Sequence, residues 1–143
     1  MIGKLVRRVM NAKLTVLSVG SFLLFASVSE AHHSFTAEFD INQPIHLRGV
    51  VTKFDFQNPH TWIHMDVKDD KGNVTNWAVE GGTPNVLIRK GVTKNSLPIG
   101  TEIVVDGFRA KDGSFRANGL DVTFPDGRKI LLGGSAPGTP QDK

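Results

Sequence analysis

Residues 54–67 read F-D-F-Q-N-P-H-T-W-I-H-M-D-V. From Thr61 onward, Ile63, Met65 and Val67 share one parity while Trp62, His64 and Asp66 share the other, the period-2 pattern of a strand with one face on a core. Asn58-Pro59 separates this strand from an earlier one, since proline donates nothing to a ladder and biases the residue before it away from helix. The polar face carries His64 and Trp62, with His60 just ahead of it, so it is the predicted location of a site.

Working outward, Ile45 to Phe56 reads as the first long strand, with Gly49 marking a bulge or sharp bend. Asp69-Asp70-Lys71-Gly72-Asn73 has turn chemistry, and Val74 to Val79 is the returning strand of a hairpin, with Trp77 on the parity of Val79 and hence in the core. Gly81-Gly82 reads as a linker. Thr83-Pro84 followed by Asn85 to Lys90 and Gly91 has the grammar of a two-turn helix, with Thr83 as N-cap and Leu87 and Ile88 as its buried side. Thr101 to Ala110, Phe115 to Phe124 and Lys129 to Leu132 complete the strands, separated by Lys111-Asp112-Gly113-Ser114 and Pro125-Asp126-Gly127-Arg128. Three strands, a short helix and two or three more strands predict an all-β fold, a five- to six-stranded OB-like β-barrel with one short helix between strands 3 and 4. Strand parity places Leu47, Val51, Ile63, Met65, Trp77, Val79, Ile103, Val105, Leu120 and Val122 in its core.

The two ends read differently. Lys4, Arg7, Arg8 and Lys13 precede an apolar run from Leu14 to Val28, and Ser29-Glu30-Ala31 supplies small residues before a cleavage point. This is the order of a secretory signal peptide over residues 1–31. The interrupted run is too short for a membrane span, which needs roughly 20 apolar residues. Residues 32–132 are then a single domain, with an extended arm from His32 to Pro44 lying on it, and residues 133–143, rich in glycine and proline, a disordered tail. Removing residues 1–31 takes away four basic side chains and Glu30, leaving 13 basic and 13 acidic from the 17 and 14 of the whole chain. A neutral exported domain lacks the cationic surface that phosphate backbones require, so no nucleic-acid partner is expected. With no cysteine, the domain must stand on its core alone.

The segments H-H-S-F (His32 to Phe35), N-P-H (Asn58 to His60), W-x-V-E (Trp77 to Glu80), P-x-x-L-x-R-x-G (Pro84 to Gly91) and A-x-D-G-S (Ala110 to Ser114) together resemble a family of small secreted bacterial proteins of unknown function. That resemblance spans nearly all of residues 32–143 and implies no activity. The order of elements is similar to that of periplasmic bacterial OB-fold proteins.

Candidate ligand-binding residues are Asn58, His60, Trp62 and His64, with Trp62 as a stacking platform. Candidate metal ligands are His32, His33, His60 and His64. On one straight strand His60 and His64 would stand about 13 Å apart at roughly 3.3 Å per residue, too far to share an ion unaided. A free amine at His32 with its own Nδ1 could chelate Cu(II), with His60 or His64 as a third nitrogen and His33 as a competing ligand. Against this, H-H-S-F also reads as an arm that pads the barrel, Asn58-Pro59-His60 as turn chemistry and His64 as an exposed strand histidine. Asp66, Asp69, Asp70 and Asn73 lack the ordered ligand spacing of a calcium loop and read as a solvated turn. No G-x-S-x-G, H-E-x-x-H, cysteine nucleophile or glycine-rich phosphate loop is present, so no catalytic residue is assigned. The sequence therefore predicts a soluble periplasmic OB-like domain that binds a small ligand, a metal or an envelope protein. The alternative is a copper-binding protein using His32, and a purely structural module of the envelope is a third reading.

Overall fold

The computed structural model describes residues 33–137. In chain order they form α1 (His33–Glu38), β1 (Phe39–Asp55), β2 (Trp62–Lys68), β3 (Val74–Glu80), α2 (Pro84–Arg89), β4 (Glu102–Ala110), β5 (Arg116–Thr123) and β6 (Lys129–Leu131). The fold is all-β with small helices.

The β2–β3 hairpin follows from its turn. The Asp69 carboxylate accepts the backbone N–H groups of Lys71 and Asn73 at 2.9 and 2.8 Å and the Asn73 amide at 2.9 Å, while Gly72 takes φ 88°. These oxygens are spent on the turn, as an Asx motif requires. The turn fixes the register from Lys68↔Val74 back to Trp62↔Glu80. Ile63, Met65, Trp77 and Val79 consequently face inward and are buried, while Trp62, His64 and Ala78 face out.

The long strand β1 pairs antiparallel with both β2 and β4, and β5 pairs antiparallel with β4. A parallel pairing of β3 with β5, from Ala78↔Arg116 to Glu80↔Asn118, closes these five strands into a ring. Beyond it, β6 takes over the same edge of β5 at Asp121 to Thr123. The interior is filled by Val51, Ile63, Met65, Val79, Ile103, Val105 and Val122 with their neighbours. A smaller cluster of Phe35, Phe39, Ala110 and Ala136, joined by Phe108 and Leu120, lies apart from that interior.

Several expectations need correction. The segment from His32 to Pro44 is not an extended arm over its described length: residues 33–38 are helical, and β1 begins at Phe39. Phe35 packs against Phe39 with tilted rings and against Phe108 edge to face, both with ring centroids 5.8 Å apart, which gives this short helix its anchorage. Gly49 stays in register. The irregularity falls between Val51 and Lys53, and Gly49 is instead a close approach, where an added Cβ would come within 2.4 Å of the Asp66 carbonyl oxygen. The extra residue Thr52 reverses the parity of β1, so that Val51 and Phe54 can both pack on the core. Likewise an irregularity between Asp106 and Gly107 leaves Leu120 as the extra residue of β5. Leu120 is thereby moved to the smaller cluster, while Ala117 and Val122 remain inside. Leu47 is only half-buried, packed at the edge of the interior.

Thr83 caps α2 as predicted, its hydroxyl accepting Val86 N–H at 3.3 Å. Of its expected buried pair only Leu87 is buried. Ile88 is 54% exposed, because a six-residue helix buried along one side covers positions three apart, here Pro84 and Leu87. Gly81-Gly82 is a buried crossing rather than a loose linker, with Gly82 N–H donating to the Leu132 carbonyl at 2.7 Å and the Gly82 carbonyl accepting Thr61 N–H at 3.0 Å. The first part of the predicted tail is packed as well, since Gly134 and Ala136 are buried. Residues 1–31 and 138–143, the signal peptide and the remainder of the tail as read from sequence, lie outside the described residues.

Candidate functional site

The outward row Trp62, Glu80 and Asn118 crosses β2, β3 and β5 by the registers Trp62↔Glu80 and Glu80↔Asn118. Two residues before Asn118, Arg116 projects from the same face. Glu38, at the end of α1, meets it there, its carboxylate accepting from Arg116 Nη2 at 3.0 Å. The guanidinium carbon stands 5.3 Å from the centroid of the Trp62 ring and 6.0 Å from that of Phe39, so both rings contribute cation–π attraction.

Between these groups is a pocket of about 270 Å³. Phe39, Pro59 and Trp62 give it apolar walls, and Glu38, His60, Glu80, Arg116 and Ser135 its polar groups. Glu80 is only 6% exposed. Its carboxylate Oε1 pairs with His60 Nδ1, and with the carboxylate ionised the imidazole N–H donates. Burial pushes the Glu80 carboxyl above the usual range, against the opposing pull of the His60 imidazole, with smaller contributions from Glu38, which raises it, and Arg116, which lowers it. Holding Nδ1 on a buried carboxylate fixes the ring orientation of His60 and reserves Nε2 for another partner.

The outer face on the β1 side of β2, where Asp55 stands opposite Trp62 and Lys53 opposite His64, is built differently. His64 Nε2 lies 3.3 Å from Asp55 Oδ2, which Lys53 Nζ also meets at 2.8 Å. The hydrogen bond from Lys53 holds the Asp55 carboxyl below the usual range, with His64 adding to it. Of the four predicted ligand-binding residues, the fold thus brings His60 and Trp62 into one pocket. Asn58 is exposed next to the cis Asn58–Pro59 bond and His64 is engaged with Asp55, and neither lines it. A second pocket of about 280 Å³ borders Ile103, Val104, Thr123 and Phe124, and its charged groups are the exposed Arg48–Glu102 pair.

Among the described residues, no three or more His, Cys, Asp and Glu side chains group so as to hold a metal ion. His60 and His64 each give one ring nitrogen to a different carboxylate. His32 and the side chain of His33, on which the copper reading turns, lie outside the described residues. No helix among the described residues is long and apolar enough to cross a membrane.

Sequence reasoning missed Glu80, Arg116, Glu38, Phe39 and Ser135 as site residues. Glu80 was within reach, because counting back through the hairpin from Lys68 opposite Val74 sets Trp62 opposite Glu80. Arg116 was not, because nothing local in the sequence signals the parallel β3–β5 closure.

A family model described as a family of unknown function, DUF6152, matches residues 21–121. No curated protein and no solved structure matches the chain.

Proposed function

We propose, for a chain that belongs to the family of unknown function DUF6152, the role of an exported, periplasmic OB-like domain that binds a small ligand in the pocket beside Trp62. The observation that carries this reading is the buried Glu80 carboxylate, which points His60 into a pocket walled by Phe39, Pro59 and Trp62. Ligand sites have this character: apolar walls with a few placed polar groups, one of them with a shifted pKa. The strand pairing β1-β2-β3-β5-β4-β1 with a helix between β3 and β4 supports the OB-like reading, and OB folds bind ligands on the β2–β3 face near the loop joining β1 and β2. Trp62, Glu80, Pro59 and His60 occupy those places. Export rests on the charged, apolar and small-residue order of residues 1–31.

Two measurements test the two halves. Intact mass of protein recovered from the periplasm should begin at His32, and a membrane-bound product retaining residues 1–31 would refute export. In a side-chain NMR screen of small fragments, binders should shift the Trp62 indole and His60 ring signals and leave Trp77 and His64 in place. Binders that act only at Trp77, His64 or the Arg48–Glu102 pocket would refute the site.

A further inference from the structure

We infer that the ligand of this pocket is a small zwitterion, one ammonium and one carboxylate on a frame of amino-acid size with an apolar side chain. The inference deepens the reading given above and rests on it.

Two opposite charges are offered in one small space. Arg116 stands opposite Ala78 on neighbouring parallel strands and Glu80 is two residues further along, which places their Cα atoms roughly 8 Å apart, from about 3.3 Å per residue and about 4.8 Å between strands. Both side chains line the pocket. The distance suits a molecule whose two charges flank a single carbon and that meets side chains reaching in from both ends.

Each charged group is incompletely matched by the protein itself. Glu80 is nearly buried, and among the described residues the partner seen on its carboxylate is the His60 imidazole, on one of its two oxygens. A buried carboxylate is stabilised by further donors or a nearby cation, and an ammonium group supplies both. At the other end, Arg116 gives Nη2 to Glu38 while its guanidinium is held near the rings of Trp62 and Phe39. A guanidinium carries five N–H donors in a plane, so one carboxylate contact leaves donors for a second, and the aromatic rings order the group in advance. The pair is half-exposed, at 38% for Arg116 and 50% for Glu38, so a ligand carboxylate can compete for the guanidinium.

Charge count argues against a doubly charged ligand. With His60 neutral, Glu38, Glu80 and Arg116 sum to one negative charge, and with His60 protonated to none. A dianion would meet two carboxylates, and a dication would meet Arg116. The walls of Phe39, Pro59 and Trp62 would take an apolar side chain, and a volume of about 270 Å³ limits the ligand to about this size.

Calorimetric titration of the exported protein with L-leucine and L-phenylalanine, their methyl esters and their N-acetyl derivatives tests the charge requirement. The expected result is that at least one free amino acid binds at least tenfold tighter than both its ester and its N-acetyl form. Arg116→Gln should abolish its advantage over the ester and Glu80→Gln its advantage over the N-acetyl form, in variants whose near-ultraviolet circular dichroism matches the wild type. An ester or N-acetyl form binding as tightly as its parent, or no binding by either amino acid at millimolar concentration, overturns the zwitterion. Fragments that still shift Trp62 and His60 would leave the pocket reading standing, so the two failures are distinguishable.

Discussion

The inside and the outside of the β2–β3 hairpin are made from alternate residues of the same short strands, yet they solve different problems. Inside, Ile63, Met65, Trp77 and Val79 exclude water and are specified by apolar area alone. Outside, the same register lines up Trp62 with Glu80 and leaves charged groups whose behaviour depends on how deeply each is covered. Glu80 is buried at the pocket it shares with Phe39, Pro59 and Ser135, and burial pushes its carboxyl above the usual range. Asp55, opposite Trp62 on β1, is lowered by Lys53. Two histidine–carboxylate pairs on one sheet therefore differ in kind, and only the covered one sits where a ligand could be held.

The contrast is broken most forcefully from the inside. Ile63→Ala should cost about 2 to 5 kcal/mol in urea unfolding, through lost burial and the cavity left behind, whereas His64→Ala on the opposite face should change the midpoint little. A silent Ile63→Ala would contradict the inward assignment. Gly49→Ala should cost about 1 to 3 kcal/mol, because its Cβ would press on the Asp66 carbonyl oxygen and the Met65 side chain. Were it tolerated, β1 and β2 would not approach as closely as described.

On the outside the expected effects are smaller and depend on pH. Because burial raises the Glu80 carboxyl in the folded chain, its contribution to stability is fully present below the ordinary glutamate range of about 4.3 and is lost as pH rises through the higher folded value. Glu80→Gln removes that loss, so the stability of the variant relative to wild type should improve from pH 4 upward in parallel denaturation curves. A flat difference would mean that Glu80 is not desolvated. Arg116→Ala should cost only about 0 to 1 kcal/mol in thermal unfolding, the range of half-exposed ion pairs. A larger loss would make the Glu38–Arg116 pair a structural staple of α1 rather than part of a site.

Much of the fold was legible because it is local. The parity of residues 61–67, the Asp69 to Asn73 turn, the Thr83 cap and the three later strands each announce themselves within a few residues. The errors came where one extra residue changes parity without changing composition, as at Thr52 and Leu120. They also came where a ring meets another far along the chain, as Phe35 meets Phe108, and the start of the expected arm is a helix anchored there and on Phe39. The site divides the same way. His60 and Trp62 stand out as a histidine and a tryptophan on a polar face, and Glu80 could be reached by counting around the hairpin. Glu38 and Arg116 are 78 residues apart, and only closure of the ring brings them together.

The most direct test of the account is a site-resolved carboxyl NMR titration of the wild-type chain and of His60→Ala. The account predicts that Glu80 titrates above the ordinary glutamate range while Asp55 titrates below the ordinary aspartate range, and that losing His60, whose imidazole favours the ionised form, moves Glu80 higher still. A Glu80 that titrates together with the exposed glutamates, and does not respond to His60→Ala, would contradict it.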